Sequence, residues 1–284
     1  MSLLPPNPLL YRDVVSRALL EDIEHGDITT SLTVGSENGR AVVVAKEPCV
    51  CAGLFVAGAV FSLLDRRIEL TGSLDEGDRC DAGAVLLELQ GPLSSLLQGE
   101  RVALNFLQRL CGIATLTASY VAELEGTGCR LCDTRKTTPG LRVLEKYAVR
   151  AGGGINHRFG LSDGILIKDN HIAACGSVME AVQRALRGAP HGLKVEVEVA
   201  DTGMLRDAIE AGAQVLLLDN MEPVALSEAV KIARGLKPDV VLEASGNITL
   251  DNIRAYALSG VDIISSGALT HSCPAIDLSF RIVT

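Results

Sequence analysis

The 284-residue chain has no tryptophan, and aromatic residues make up only 3% of it. Its core must therefore be built from Leu, Val, Ile and Ala, which favours helices layered on a sheet. A basic excess is also missing: 26 Lys and Arg stand against 35 Asp and Glu, a formal net charge of -9. That balance speaks against nucleic acid as a partner, because phosphate neutralisation supplies most of a polynucleotide binder's affinity. No apolar run is long enough to span a bilayer; the longest nearly uninterrupted one, 52–64, contains glycines and a serine. The start Met1-Ser2-Leu3-Leu4-Pro5-Pro6 has neither a basic segment nor an apolar one before its prolines. No secretory signal is expected, and a soluble, cytoplasmic protein without membrane contact is.

Eight cysteines are present, mostly in or beside apolar segments of a large chain, and this setting favours reduced thiols over disulfides. Cys129 and Cys132 have C-x-x-C spacing, but no second pair with ligand spacing follows, and the segment reads as a strand.

From about residue 129 onward, short apolar runs at 129–132, 164–167, 193–199, 215–218, 240–242 and 261–264 alternate with helical patterns at 140–151, 177–187, 204–211, 223–236 and 250–259. Repeated βα order is the signature of a parallel sheet, and the spacing suits βα units closing into a barrel. The first part reads differently. It has a helix candidate at 9–21, a strand at 41–45, a buried helix at 52–64, and short strands punctuated by Asp75-Glu76-Gly77-Asp78 and Asp81-Ala82-Gly83. This is an α+β domain, joined through one or two helices at 93–116 to the barrel, with the boundary near Gly112.

A barrel places its active site at the C-terminal ends of its strands. The runs end on Asp133-Thr134-Arg135-Lys136, Lys168-Asp169-Asn170, Glu198, Asp219-Asn220, Glu243-Ala244-Ser245-Gly246-Asn247 and Ser265-Ser266-Gly267. Asp, Asn and Gly are ordinary turn residues; Arg135, Lys168 and Glu198 are not, and their joint occurrence marks a site. Arg135, Lys136, His157, Arg158, Lys168 and His171 concentrate positive charge in an acidic chain, which suits a small polyanion. Glu198 and Asp219 form a carboxylate pair suited to Mg²⁺ or to sugar hydroxyls. Ser245-Gly246-Asn247 and Ser266-Gly267 close the last two βα units, where barrels commonly hold a phosphate on backbone N–H groups. Gly152-Gly153-Gly154 is too generic alone to mark such a site. Glu196 shares a strand face with Glu198 and is expected to pair with Lys136 or Lys168.

Taken together, Asp133-Thr134-Arg135-Lys136-Thr137-Thr138-Pro139-Gly140-Leu141-Arg142, Gly152-Gly153-Gly154-Ile155-Asn156-His157-Arg158, Leu166-Ile167-Lys168-Asp169-Asn170-His171, Leu218-Asp219-Asn220 and Glu243-Ala244-Ser245-Gly246-Asn247-Ile248 resemble the quinolinate phosphoribosyltransferase family. The resemblance implies an α/β class protein: an N-terminal sandwich domain, 1–112, rejoined by the C-terminal tail 273–284, and an incomplete βα barrel of fewer than eight strands, 113–272. It implies a homodimer in which Arg101 reaches the neighbouring subunit's site. The implied reaction joins quinolinate to 5-phosphoribosyl-1-pyrophosphate with Mg²⁺, releasing pyrophosphate and CO₂ and giving nicotinate mononucleotide, a step of NAD biosynthesis. Lys136, Lys168, Glu198 and Asp219 are then the candidate catalytic groups. Arg101, Arg135, His157 and Arg158 join the substrate-binding set, with Ser245, Gly246, Asn247, Ser266 and Gly267 at the 5-phosphate and His271 nearby.

Two other readings compete. A Schiff-base aldolase would use Lys168 as a desolvated nucleophile at the end of Ile165-Leu166-Ile167; a small aldehyde has no need of the several arginines. A non-catalytic sugar-phosphate sensor on the same barrel would bind the phosphoribosyl donor without turnover.

Overall fold

The structure is a computed structural model and describes residues 3–283. Met1, Ser2 and Thr284, which belong to the start and the tail considered above, lie outside the described residues. In chain order the strands are β1 (Asn38–Ala45), β2 (Cys49–Val50), β3 (Glu69–Ser73), β4 (Arg79–Cys80), β5 (Val85–Pro92), β6 (Arg130–Cys132), β7 (Ile165–Ile167), β8 (Val195–Val199), β9 (Val215–Asp219), β10 (Val241–Ser245), β11 (Ile263–Ser265) and β12 (Leu278–Val283). The helices are α1 (Arg12–Ile23), α2 (Ile28–Thr33), α3 (Leu54–Leu64), α4 (Leu93–Glu123), α5 (Arg142–Ala151), α6 (Asp169–Cys175), α7 (Val178–Gly188), α8 (Thr202–Glu210), α9 (Pro223–Leu236), α10 (Ile253–Ala257) and α11 (Ala268–His271). Local chemistry sets several helix starts. Ser177 and Asp201 accept the N–H groups of Glu180 and Met204 at 3.1 and 2.8 Å, capping α7 and α8, and Pro223 opens α9.

The chain divides into two compact units, one of Met1–Ala118, Thr137–Gly153 and Leu269–Thr284, the other of Ser119–Lys136 and Gly154–Ala268. The expected boundaries at 112 and 272 do not coincide with this division. The physical reason lies in α5, expected as a barrel helix. Its Tyr147 ring packs edge-on against Phe55 at 4.8 Å, and its Glu145 pairs with Arg109 of α4, so it belongs with the first unit.

Within the first unit, four antiparallel strands lie in the order β12-β1-β5-β3. The last strand pairs with the first from Arg40↔Val283 to Ala45↔Leu278, so residues 278–283 complete this sheet. The apolar helix α3 buries Leu54, Val56, Ala57, Val60 and Phe61. The stretch expected as one or two helices at 93–116 is one uninterrupted helix, α4, which continues to Glu123. Gly112 sits inside it because a Cβ there would overlap the carbonyl oxygen of Pro274.

The second unit holds six parallel strands in the order β6-β11-β10-β9-β8-β7. Strands β7 to β11 lie in chain order, and β6, the earliest, adds beside β11. Between β6 and β7 the ladder stays open, apart from a single bridge from Cys132 to Ile155. The result is an incomplete barrel of six strands. Val195, Val197 and Val199 of β8 are fully buried and alternate with Glu196 and Glu198 on the opposite face. Strand β10 extends to Ser245, so Glu243, expected just past a strand end, lies inside the sheet between β9 and β11. Among the described residues no helix is long and apolar enough to cross a membrane.

Candidate active site

Lys168 follows β7 directly, and its Nζ donates to Glu198 Oε2 at 2.5 Å. A lysine so paired, with a half-exposed side chain, is not the desolvated amine that a Schiff-base enzyme requires. Glu196, two residues earlier on the same face, does not pair with Lys168 as expected; its Oε2 stands 3.2 Å from His157 Nε2. The strand's two-residue period explains the split: Glu198 reaches the rim, whereas Glu196 lies one layer below.

His157 is held on several sides. Asp133, fully buried after β6, accepts the His157 N–H at 2.9 Å and the Asn156 Nδ2 at 2.6 Å. Asp133 is therefore an anchor for the 156–158 loop. The Arg158 N–H donates to His157 Nδ1 at 2.7 Å, which places the hydrogen of the neutral ring on Nε2. That nitrogen faces Glu196 and, at 3.9 Å, Glu243 Oε1. Burial pushes the Glu243 carboxyl well above the usual carboxylate range; the charge of Glu196 adds to this, while His157 and Ser265 oppose it. One oxygen each of Glu196 and Glu243, Oε1 in both, is buried without a hydrogen-bond partner. His157, Glu196 and Glu243 offer ligand atoms within 4.8 Å of one another. The ring hydrogen nevertheless occupies the nitrogen that would have to bind a metal, so the trio is a poor ligand set.

Arg135 and Lys136 are exposed beyond β6, and Arg158 is half-buried, its Nη1 donating to the Gly164 carbonyl at 2.9 Å. Arg158 is held below its usual pKa chiefly by burial and then by the like charge of Arg135; Glu196 and Asp163 oppose the shift. A half-buried guanidinium with a second one near it suits an anion.

At the end of β9, Asp219 Oδ2 accepts from Asn220 Nδ2 at 2.7 Å, and the Asn220 N–H donates to the Ser245 carbonyl at 2.9 Å. Asn220 and Asn247 are both left-handed, with φ of 53° and 52°. Gly246, at φ 102°, is required twice over: its conformation is strained for any side chain, and an added Cβ would lie 2.7 Å from Asn220 Cγ and 3.1 Å from its amide nitrogen. The N–H groups of Gly246 and Asn247 meet no protein acceptor among the described residues. Successive amides in such a turn form a concavity for an anion. Ser266 departs from its expected role. It is buried, its N–H donates to the Cys132 carbonyl at 3.1 Å and its hydroxyl to the Ile248 carbonyl at 3.4 Å, so it ties strands together rather than offering an amide. Gly267 follows it at the start of α11.

In the first unit, Arg101 is exposed on α4, and His271 is exposed at the end of α11 with Nδ1 2.6 Å from Ser272 Oγ. Sequence reasoning missed a network here. Arg109 donates from Nε and Nη2 to Glu145 Oε1 at 3.1 and 2.8 Å, and Glu145 Oε2 accepts the Thr138 N–H at 3.0 Å. Arg109 also bonds the Thr270 carbonyl and Cys273 Sγ. A cation within the apolar pattern of Leu107 and Leu110 was the available signal. The C-x-x-C cysteines are buried thiols at β6, with burial pushing Cys129 up to about 12.

Residues 27–111 match the family model described as quinolinate phosphoribosyl transferase, N-terminal domain, and residues 113–281 match the corresponding C-terminal domain. A Mycobacterium leprae protein named nicotinate-nucleotide pyrophosphorylase (carboxylating) is 44% identical over 281 residues, covering 95% of this chain and 96% of that one. The human protein of the same name is 40% identical over 282 residues, covering 99% and 93%. The solved nicotinate-nucleotide pyrophosphorylase of Francisella tularensis superposes with a TM-score of 0.92 at 40% identity, covering 100% of this chain and 99% of that one.

Proposed function

The chain belongs to the quinolinate phosphoribosyltransferase family, and from that premise we propose how its residues carry out phosphoribosyl transfer to quinolinate. The enzyme joins quinolinate to 5-phosphoribosyl-1-pyrophosphate and releases pyrophosphate and CO₂, giving nicotinate mononucleotide for NAD biosynthesis.

Arg135 and Arg158 bind the two adjacent carboxylates of quinolinate, assisted by Arg101 of the partner subunit in a homodimer, with His157 lying beneath them. The placement of Arg158, half-buried with the like charge of Arg135 beside it, is the observation that carries this assignment, because a dicarboxylate suits such a setting. Lys136 and Lys168 neutralise the donor's pyrophosphate, and Glu198 keeps Lys168 aimed at the rim. The amides of Gly246 and Asn247, next to Ser245 and with Gly267, take the 5-phosphate. Glu198 and Asp219 fit Mg²⁺: they are hard oxygen donors on adjacent strand ends, and neither is fully buried. When bound, Mg²⁺ adds positive charge beside the leaving pyrophosphate. The enzyme works in the cytoplasm.

The chemistry needs no protein nucleophile. The bond from C1 to pyrophosphate breaks with oxocarbenium character, the pyridine nitrogen bonds to C1, and the alkylated ring accepts the electrons of the departing carboxylate. The protein's part is orientation and charge neutralisation. Mixing Arg101→Ala with Lys168→Ala subunits tests the shared site. Lys168→Ala alone is expected to be inactive and Arg101→Ala alone to turn over little at low quinolinate, and hybrids regain one working site of two; no recovery after demonstrated subunit exchange would place each site within a single chain.

A further inference from the structure

The reaction replaces the 2-carboxylate of the pyridine by hydrogen, so each turnover consumes one proton at C2. We infer that Glu243 holds this proton beneath His157 and supplies it as CO₂ leaves; the inference rests on the phosphoribosyl-transfer reading above.

Geometry carries the inference. Glu243 is 2% exposed and sits inside β10, two residues before Ser245 on the same strand face, as Glu196 sits two residues before Glu198. Both lie one side-chain layer, about 7 Å, below the rim groups. His157 stands over them, its side chain 15% exposed. The ring has a single hydrogen on Nε2 and faces two carboxylates, so it cannot satisfy both. The orphaned oxygens of Glu196 and Glu243 mark the place where a proton is owed. The groups facing Glu243 are Glu196 from β8, His157 and Asp133 from the segments following β6, Ser265 from β11 and the Cys129 thiol. Negative charge dominates that set, and with near-complete burial it keeps Glu243 protonated into the neutral range.

The step balances as follows in bonds and charge. The bond from C2 to the carboxylate breaks, its electron pair stays on C2 and CO₂ leaves. The Glu243 O–H proton passes across one water to that pair and forms the new C–H bond. Glu243 is left as a carboxylate among Glu196 and Asp133, an arrangement that strongly favours uptake of a proton from solvent before the next turnover. Because Glu243 acts across a water, it is a proton-holding residue rather than one that touches substrate.

The test uses the full-length enzyme and follows pyrophosphate and CO₂ separately in single turnovers across pH. Wild type should release both in equal amounts, with CO₂ release falling as pH rises through about 7. Glu243→Gln should slow CO₂ release about 100-fold and erase that alkaline limb, the scale of a lost general acid. Pyrophosphate release should persist, so that phosphoribosylated dicarboxylate accumulates, and Glu243→Asp should restore part of the rate. Coupled release with an unchanged pH limb in Glu243→Gln would overturn the inference and point to a lysine as donor. Absence of donor-dependent CO₂ release in wild type would instead remove the assigned activity. Should Glu243→Gln fail to fold, infrared titration of wild type decides: a protonated-carboxyl band lost over the same pH range as the limb supports the inference, and no such band refutes it.

Discussion

Replacing Glu145 with alanine should weaken the fold and the turn that follows the cationic rim. Glu145 is fully buried and accepts two N–H groups from Arg109 and one from Thr138. Alanine leaves the Thr138 N–H without its acceptor and the Arg109 guanidinium without its counter-charge. Breaking one side of a buried pair costs about 3–5 kcal/mol. Arg109 is 27% exposed, so water recovers part of that loss and the lower figure, about 3 kcal/mol, applies. For a chain of this size each kcal/mol lowers Tm by about 2 °C, so a fall of about 6 °C is expected by calorimetry. Glu145→Gln keeps the shape and one acceptor and should fall by less than half as much. Turnover should drop in Glu145→Ala as well, because Thr138 lies two residues from Lys136 and its turn is no longer tied to Arg109. A Glu145→Ala protein melting within a degree of wild type would show that the network carries no such weight.

Other expectations concern the barrel and the rim. Gly246→Ala should abolish binding of nicotinate mononucleotide while leaving quinolinate binding in place, since its Cβ would push Asn220 aside; isothermal titration of both ligands checks this, and tight mononucleotide binding would contradict it. Glu198→Ala and Asp219→Ala should each raise the Mg²⁺ concentration needed for half-maximal activity, and unchanged titrations in both would reject these residues as its ligands. Arg101→Ala should raise the KM for quinolinate and leave Tm unmoved; normal quinolinate kinetics would remove Arg101 from the site. The raised Glu243 carboxyl sets a sign for stability: its contribution is complete below the ordinary carboxylate pKa and lost as pH rises through about 7. Glu243→Gln should therefore gain Tm relative to wild type above that pH, and parallel melting curves at all pH values would contradict the shift.

Lys168, Glu198, Asp219 and Gly246 were legible in the sequence because each follows or ends an apolar run, and strand ends in a βα barrel converge on one rim. Glu243 was legible as a residue but not as a place. The apolar run stops at Leu242, whereas the strand continues through Glu243, since backbone pairing with β9 and β11 on both sides does not depend on side-chain polarity. His157, Glu196 and Glu243 meet only through sheet order, which no local period records, so Glu196 was assigned to a lysine instead of the histidine. Arg109 and Glu145 are likewise 36 positions apart. Gly112, expected near the domain boundary, lies inside α4 as a point of close approach for the tail.

Assay of quinolinate labelled in its 2-carboxylate tests the assigned activity most directly. Labelled CO₂ should appear in equal amount with pyrophosphate, only when 5-phosphoribosyl-1-pyrophosphate is present, and should vanish in Lys168→Ala. Labelled CO₂ formed without the donor, or consumption of the donor with no CO₂, would contradict the assignment.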